Sequence, residues 1–419
     1  MKIIAIAGRQ IYDSRGLPTL ACDVYLENGA IITSSVPSGT SRGVHEALEL
    51  RDGGSVLYGL EVTHAIDMIS CAIEPIFLGL EPNAVRMDLE LLTIDGTINK
   101  SKLGANTMLA VSQALYRAQA YIEGIELYEL IASVCDHKTV SIPVPLVNVI
   151  NGGAHAANNL AIQEFLIALD GTTEFSSAMR SIAIVYQELK KLLLEHNRGA
   201  YLGDEGGFAP CFATETEPLD YIMEAVRRAH LPIDQRVVLG LDVAASQLFN
   251  ETSYEYDLGR LGSLSSEQLI EWYAQLVERY PLYVIEDGLA QDDWDGWEIL
   301  GNELGQVVHI AGDDIFATNP ERIARGIERR VADAAVIKPN QIGTVTEALQ
   351  AMKLCHQHGM KTIVSHRSGD TEDSFIVDLA VGAQASHVKL GGCSRGERTA
   401  KYNRLLAIEA HLLGLQDSF

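Results

Sequence analysis

The sequence lacks any cysteine pair with metal-ligand spacing. Its six cysteines, Cys22, Cys71, Cys135, Cys211, Cys355 and Cys393, are scattered with no C-x-x-C among them. That argues against a zinc site and a disulfide framework, and it fits a reducing cytoplasm. Long apolar runs are missing too. Nothing approaches the roughly 20 residues of a membrane span, and the apolar start of MKIIAIAGRQ is too short for a secretory signal. Positive charge is scarce: 32 Lys and Arg against 56 Asp and Glu give a net charge of −24. Such a chain repels nucleic acid and anionic lipid, so neither is expected as a partner. A small anionic ligand would need a local gathering of positive charge or bound cations. With 419 residues, 47% of them hydrophobic, the chain can bury large cores and is expected to divide into two domains.

Over residues 1–138, strand-like segments such as VYLENGAIITSSVP give way to helical ones. GANTMLAVSQALYRAQAYIEG places Leu109, Ser112, Leu115 and Tyr116 on one apolar face, which predicts an amphipathic helix within a small α+β domain. Over residues 139–419 the pattern becomes a repeat of a β-rich run, a charged residue at its end and an amphipathic helix. VVLGLDVA delivers Asp242, LYVIEDG Glu286, VVHIAGDD Asp313, DAAVIKP Lys338, KTIVSHR His366 and HVKLGG Lys389. From Glu286 onward these numbers differ by 27, 25, 28 and 23, one βα unit per step. Apolar strands alternating with helices imply a parallel sheet buried on both faces. A continuing series predicts a closed (β/α)8-type barrel rather than an open doubly wound sheet, with the active site at the carboxyl ends of the strands.

Asp242, Glu286 and Asp313 from successive strand ends supply hard oxygen ligands that suit Mg2+. Any one of them alone reads more readily as the N-cap of the following helix. The three together, facing two lysines and a His-Arg pair from later strands, read as a site. Beside such carboxylates a desolvated lysine is expected to have a lowered pKa, so one of Lys338 and Lys389 would be a base and the other a fixed counter-charge. IQEF adds Gln163 and Glu164, and GDEGGF adds Glu205 in a glycine turn that lets the backbone approach a ligand. A base lysine opposite a protonatable glutamate, with metal between, reads as proton abstraction beside a carboxylate followed by acid-assisted loss of a leaving group.

The stretches IYDSRG, VPSGTSRG, NKSKLGAN, NGGAHAANNLAIQEF, GDEGGFAP, LDVAAS, IEDG, GDDIFATNP, IKPNQIGTVTEA, SHRSGDTED and KYNRLLAIE run through nearly the whole chain. In content and order they resemble the enolase (phosphopyruvate hydratase) family. The resemblance implies that Asp242, Glu286 and Asp313 hold a first Mg2+ and that Ser41 joins a second, which arrives with substrate. It implies that Lys338 takes the α-proton of 2-phosphoglycerate and that Glu205, supported by Glu164, protonates the departing 3-hydroxyl to leave phosphoenolpyruvate. Lys389 would stabilise the charge that develops, Arg367 and Ser368 would bind the phosphate, and His155, Gln163 and His366 would line the pocket. A homodimer or higher homo-oligomer is implied as well. The acid and arginine that pair across such dimers are replaced here by Ala21 and Ala407, which leaves apolar contacts to hold the subunits.

Several positions depart from the family's pattern: Leu17, Gly288, Leu390, Gly396 and the loop GTSRG, in which Arg42 follows Ser41. Three of these changes are expected beside the catalytic pocket. Two other functions stay open at this point. One is a specialised paralogue acting on a phosphonate-type three-carbon acid, for instance one forming carboxyphosphonoenolpyruvate, with Arg42 as an extra fork for an acidic oxygen. The other is an inactive binding protein of the same descent, a reading that the retention of every metal and proton-transfer residue disfavours.

Overall fold

The computed structural model describes residues 1–40, 43–170, 174–232 and 234–415. The chain opens with a three-stranded antiparallel sheet of Ile3–Tyr12, Pro18–Leu26 and Ile31–Ser35, paired in that order. Glu27 and Asn28 form the turn of the second hairpin, closed by Gly29 N to Leu26 O at 2.8 Å, and Gly29 sits at φ +86°, where a side chain would be strained. Helices Ala84–Asp95, Ala105–Glu123 and Leu127–Val134 follow. The helix Ala105–Glu123 is not amphipathic as expected. It is buried on nearly all sides, including its polar Asn106, Thr107, Ser112 and Gln113. One side packs on the strands Pro18–Leu26 and Ile31–Ser35 and another on the barrel turn Pro339–Ile342, so only its C-terminal end, at Tyr121 and Glu123, keeps a solvent face.

Eight strands then close a barrel: Val144–Asn151, Glu164–Asp170, Arg236–Asp242, Leu282–Glu286, His309–Gly312, Ala334–Ile337, Lys361–Ser365 and His387–Lys389. The barrel is not wholly parallel. The second strand is antiparallel to both neighbours, because the connection from Asn151 to Glu164 has no crossover helix to carry the chain back to the other end. Its first residue, Glu164, therefore stands level with the last residue of the third strand, Asp242. Leu146, Leu166, Ala168, Val238, Val284, Ala311, Ala334, Val336 and Ile363 fill the interior below the mouth, and a larger apolar layer lies between the strands and the surrounding helices. All six cysteines are free thiols. Among the described residues no helix is long and apolar enough to cross a membrane.

The first lobe also grips the barrel directly. The buried Asp88 carboxylate accepts hydrogen bonds from Thr346 N (3.0 Å) and Thr346 Oγ1 (2.6 Å), at the start of the barrel helix Val345–Gln357. An acid there satisfies free N–H groups and meets the positive end of the helix dipole.

Candidate active site

The mouth is assembled from strand ends. Asp242 and Glu286 close the third and fourth strands and are register partners. Asp313, Lys338 and His366 each follow the end of their strand by one residue, and Lys389 ends the eighth. Side chains alternate along a strand, so Asp242 and Glu286 share the inward face with Val238 and Val284, which lie four and two residues below them.

Lys389, 1% exposed, spends its three ammonium protons on three carboxylates: Glu286 at 2.7 Å, Asp242 at 2.9 Å and Glu164 at 3.1 Å. Burial alone would lower its pKa, but Asp242, Glu164 and Glu286 hold it well above the usual lysine value. Lys338 makes a short ion pair with Asp313 Oδ2. Burial pulls its pKa down as well, yet the carboxylates around it, Asp313 first and Glu286 with it, together leave it raised. This reverses the expectation of a lysine lowered towards neutrality: burial acts in the expected direction, and the neighbouring carboxylates together more than offset it. The same pairing overcomes burial at Asp313 and holds its carboxyl below the ordinary range. Glu286 is pushed up to about 8 by burial and by Asp242, against Lys389, and its Oε2 is buried without a hydrogen-bond partner among the described residues.

A second carboxylate pair lines the same cavity. Glu164 and Glu205, both buried, share the amide of Asn148, which donates to Glu164 Oε2 at 2.9 Å and Glu205 Oε2 at 3.0 Å. Loop glutamates ordinarily face solvent; these two do not, because a reversed strand and a glycine turn carry them inward. Burial and Glu205 raise Glu164 well above its usual range. Burial also pushes Glu205 up, but His155 Nδ1 at 3.3 Å and His366 Nε2 at 3.6 Å outweigh it and hold Glu205 well below. Two carboxylates this close do not ionise independently, so one proton belongs to the pair. His366 is itself kept well below its usual pKa by burial, despite Glu205. Gln163 donates to Asp242 Oδ2 at 3.3 Å.

The His366-Arg367-Ser368 exit is pinned from behind by Arg398. This fully buried arginine donates to His366 Nδ1 (2.5 Å) and to the carbonyls of Arg367 and Ser368 (2.7 Å each). Ser368 Oγ accepts from Thr40 N at 2.8 Å. Arg367 faces Glu46 and Asn340. Ser41 and Arg42 lie outside the described residues. Of the departures noted above, Gly288, Leu390 and Gly396 do not line the mouth. Gly288 instead packs under Tyr273, whose hydroxyl donates to its carbonyl at 2.9 Å, and a Cβ there would come within 3.2 to 3.3 Å of Leu300, Ile285 and Tyr273.

Among the described residues two sets of potential metal donors lie within 4.8 Å of one another: His155, Glu164 and Glu205, and Asp287, Asp313 and Asp314. The expected trio of Asp242, Glu286 and Asp313 is not drawn that tightly together, since Lys389 holds the first two and Lys338 the third. Asp287, which spacing did not single out, turns its carboxylate to Asp313 N (2.9 Å) and Asp314 N (3.0 Å) and so orients that turn. The donor chemistry fits a hard divalent cation. Several buried carboxylates converge, one oxygen among them lacks a partner, and two lysines balance only part of the charge.

A closed barrel with buried carboxylates and lysines converging on its mouth defines an acid–base enzyme with an acidic rim whose donors could hold a cation. The family model described as the enolase C-terminal TIM barrel domain matches residues 139–417, and that of the enolase N-terminal domain matches residues 3–131. An enolase from a Nitratiruptor species is 45% identical over 409 residues, covering 97% of this chain and 96% of that one. The chain belongs to the enolase family, and it is a hydro-lyase of that type.

Proposed function

We propose that the protein dehydrates 2-phosphoglycerate to phosphoenolpyruvate with Mg2+, two ions per site, the second arriving with substrate. The observation that supports this best is one cavity holding both a lysine on a carboxylate, Lys338 with Asp313, and a buried carboxylate pair bridged by one amide, Glu164 with Glu205. Asp242, Glu286 and Asp313 would hold the first ion, and Ser41 would join the second. Bound there, Mg2+ supplies positive charge for the dianion that forms when a proton leaves the carbon beside a carboxylate.

The side chains divide the reaction between them. Lys338 Nζ, neutral once Asp313 is engaged elsewhere, takes the α-proton. The electron pair left behind forms the C2–C3 double bond as the 3-hydroxyl departs, and Glu205 Oε protonates that hydroxyl so that it leaves as water. Glu164, which carries the shared proton in the free site, passes it to Glu205. Lys389 is a fixed positive charge near the substrate carboxylate and needs no reorganisation as charge develops. Arg367 and Ser368 bind the phosphate, Arg367 because its planar fork matches two oxygens. His155, Gln163 and His366 wall the pocket, with His366 neutral.

The test is exchange of the substrate α-proton with solvent deuterium. Lys338→Ala is expected to stop exchange, whereas Glu205→Gln is expected to stop dehydration and keep exchange. Equal loss of exchange in both variants would remove the division of labour. Turnover that survives chelation and is indifferent to added Mg2+ would remove the metal.

A further inference from the structure

Lys338 and Asp313 are two members of a closed ring of hydrogen bonds. Gln341 Nε2 donates to Asp313 Oδ1 at 2.9 Å, Thr318 Oγ1 donates to Gln341 Oε1 at 2.7 Å, and Lys338 N donates to Thr318 Oγ1 at 2.9 Å. The short Lys338 Nζ to Asp313 Oδ2 contact closes it. Gln341 and Thr318 are 1% and 0% exposed, so water cannot stand in for a missing partner. The chemistry allows one arrangement. An ionised carboxylate only accepts, so the amide must turn its NH2 to Asp313 and its oxygen the other way. That oxygen needs a hydrogen, which the Thr318 hydroxyl gives, leaving a Thr318 lone pair for the Lys338 main chain.

We infer that Gln341 and Thr318 are positioning residues that set the aim of Asp313 and of Lys338, touching neither substrate nor metal themselves. This rests on the roles proposed above for Asp313 and Lys338. An amide is the group for the task because it donates at one end and accepts at the other; a glutamate cannot donate to Asp313, and an apolar residue does neither. The ring also reaches outward. The Gln341 carbonyl accepts from Ala47 N at 2.7 Å, and the neighbouring Asn340 Oδ1 accepts from Arg367 at 3.1 Å. Residues 340 and 341 therefore touch the metal-side carboxylate, the anion-side arginine and the segment that carries Glu46.

The test uses Gln341→Met, Thr318→Val and Thr318→Ser beside Lys338→Ala, each checked for folding by circular dichroism and thermal melting. Mn2+ affinity is measured calorimetrically without substrate, and α-proton exchange and kcat are measured with it. Partners that orient metal ligands typically contribute about 10- to 100-fold in affinity or activity. Gln341→Met is expected to weaken Mn2+ binding by that order. Thr318→Val is expected to slow exchange and kcat about tenfold with KM little changed, and Thr318→Ser, which keeps the hydroxyl, to restore them. Mn2+ affinity, exchange and kcat within about twofold of wild type in both Gln341→Met and Thr318→Val would overturn the inference, as would Thr318→Ser behaving like Thr318→Val. Should Gln341→Met fail to fold, the two Thr318 variants decide alone. Exchange that persists in Lys338→Ala would strike the base assignment instead, leaving the Mn2+ result on Gln341 to stand.

Discussion

Glu46 grips Arg367 with both carboxylate oxygens, at 2.9 and 3.1 Å, in a pair almost wholly out of solvent. An incoming phosphate would have to displace this carboxylate from the guanidinium. Charge-assisted hydrogen bonds contribute about 1.5–3 kcal/mol, or roughly one to two decades in affinity. Glu46→Gln, which removes the charge and keeps the shape, should therefore tighten inorganic phosphate binding by about tenfold, measured as competitive inhibition or by calorimetry. Unchanged or weaker phosphate binding would mean that Glu46 orients Arg367 rather than competing for it.

The carboxylates of the mouth repel one another, so a divalent cation should stabilise the fold. Saturating Mg2+ at about 100 times its dissociation constant adds roughly 2.7 kcal/mol, which thermal melting should register and chelation reverse. Glu286→Gln is expected to lose most of that shift. It should cost little without metal, because burial and Asp242 already push Glu286 up to about 8. A full Mg2+ response in the variant would place the ion elsewhere.

Asp88 makes the contact between lobes depend on pH. Burial raises it from an ordinary 3.8 to about 6, even though Thr346 and Ser112 pull it down. Between these values the folded chain binds more protons than the unfolded one, so this group's contribution is full below about pH 4 and is lost as pH rises through 6. Asp88→Asn removes the dependence. The stability difference between the two proteins should change by about 3 kcal/mol across that window, in favour of the variant at higher pH, as denaturant titrations can measure. A constant difference would show that folding does not raise the Asp88 pKa.

Pairing of subunits is open to light scattering. The expected result is a homodimer at micromolar concentration, held by apolar rather than ionic contacts. Ile4, Tyr12 and Ile31 stand exposed on the first sheet, while Ala21 is 1% exposed within one chain and so cannot itself offer contact surface. A monomer at that concentration would reject the dimer.

Much of the site was legible because a barrel writes it periodically. Each βα unit ends with one side chain at the mouth, and Asp242, Glu286, Asp313, Lys338, His366 and Lys389 all sit where that period put them. Glu164 escaped the rule. It begins a strand instead of ending one, so the strand-end period did not place it; the IQEF stretch offered it only as one more carboxylate, and its role came from the family resemblance. Asp287, Glu46, Asn148, Arg398, Thr318 and Gln341 carried no spacing signal, since their partners are brought to them by tertiary packing from as far as 321 residues away in the case of Glu46. The direction of the Lys338 shift was missed for the same reason. Burial can be guessed from an apolar strand, but a carboxylate 25 residues away that touches the ammonium cannot.

The reversed second strand has one more effect. The segment from Gly152 to Gln163, which carries His155 and Gln163, leaves the rim and returns to the same rim, and its two feet are stitched together by Gly152 N to Gln163 O at 2.9 Å. At Gly152 a Cβ would press within 2.4 Å of the Ile162 carbonyl, so the stitch closes only over a bare backbone. Connections that run on into an outer helix can lengthen at the surface without disturbing what lies beneath. This one has no outer end, so an added residue would push the imidazole and the amide out of place together.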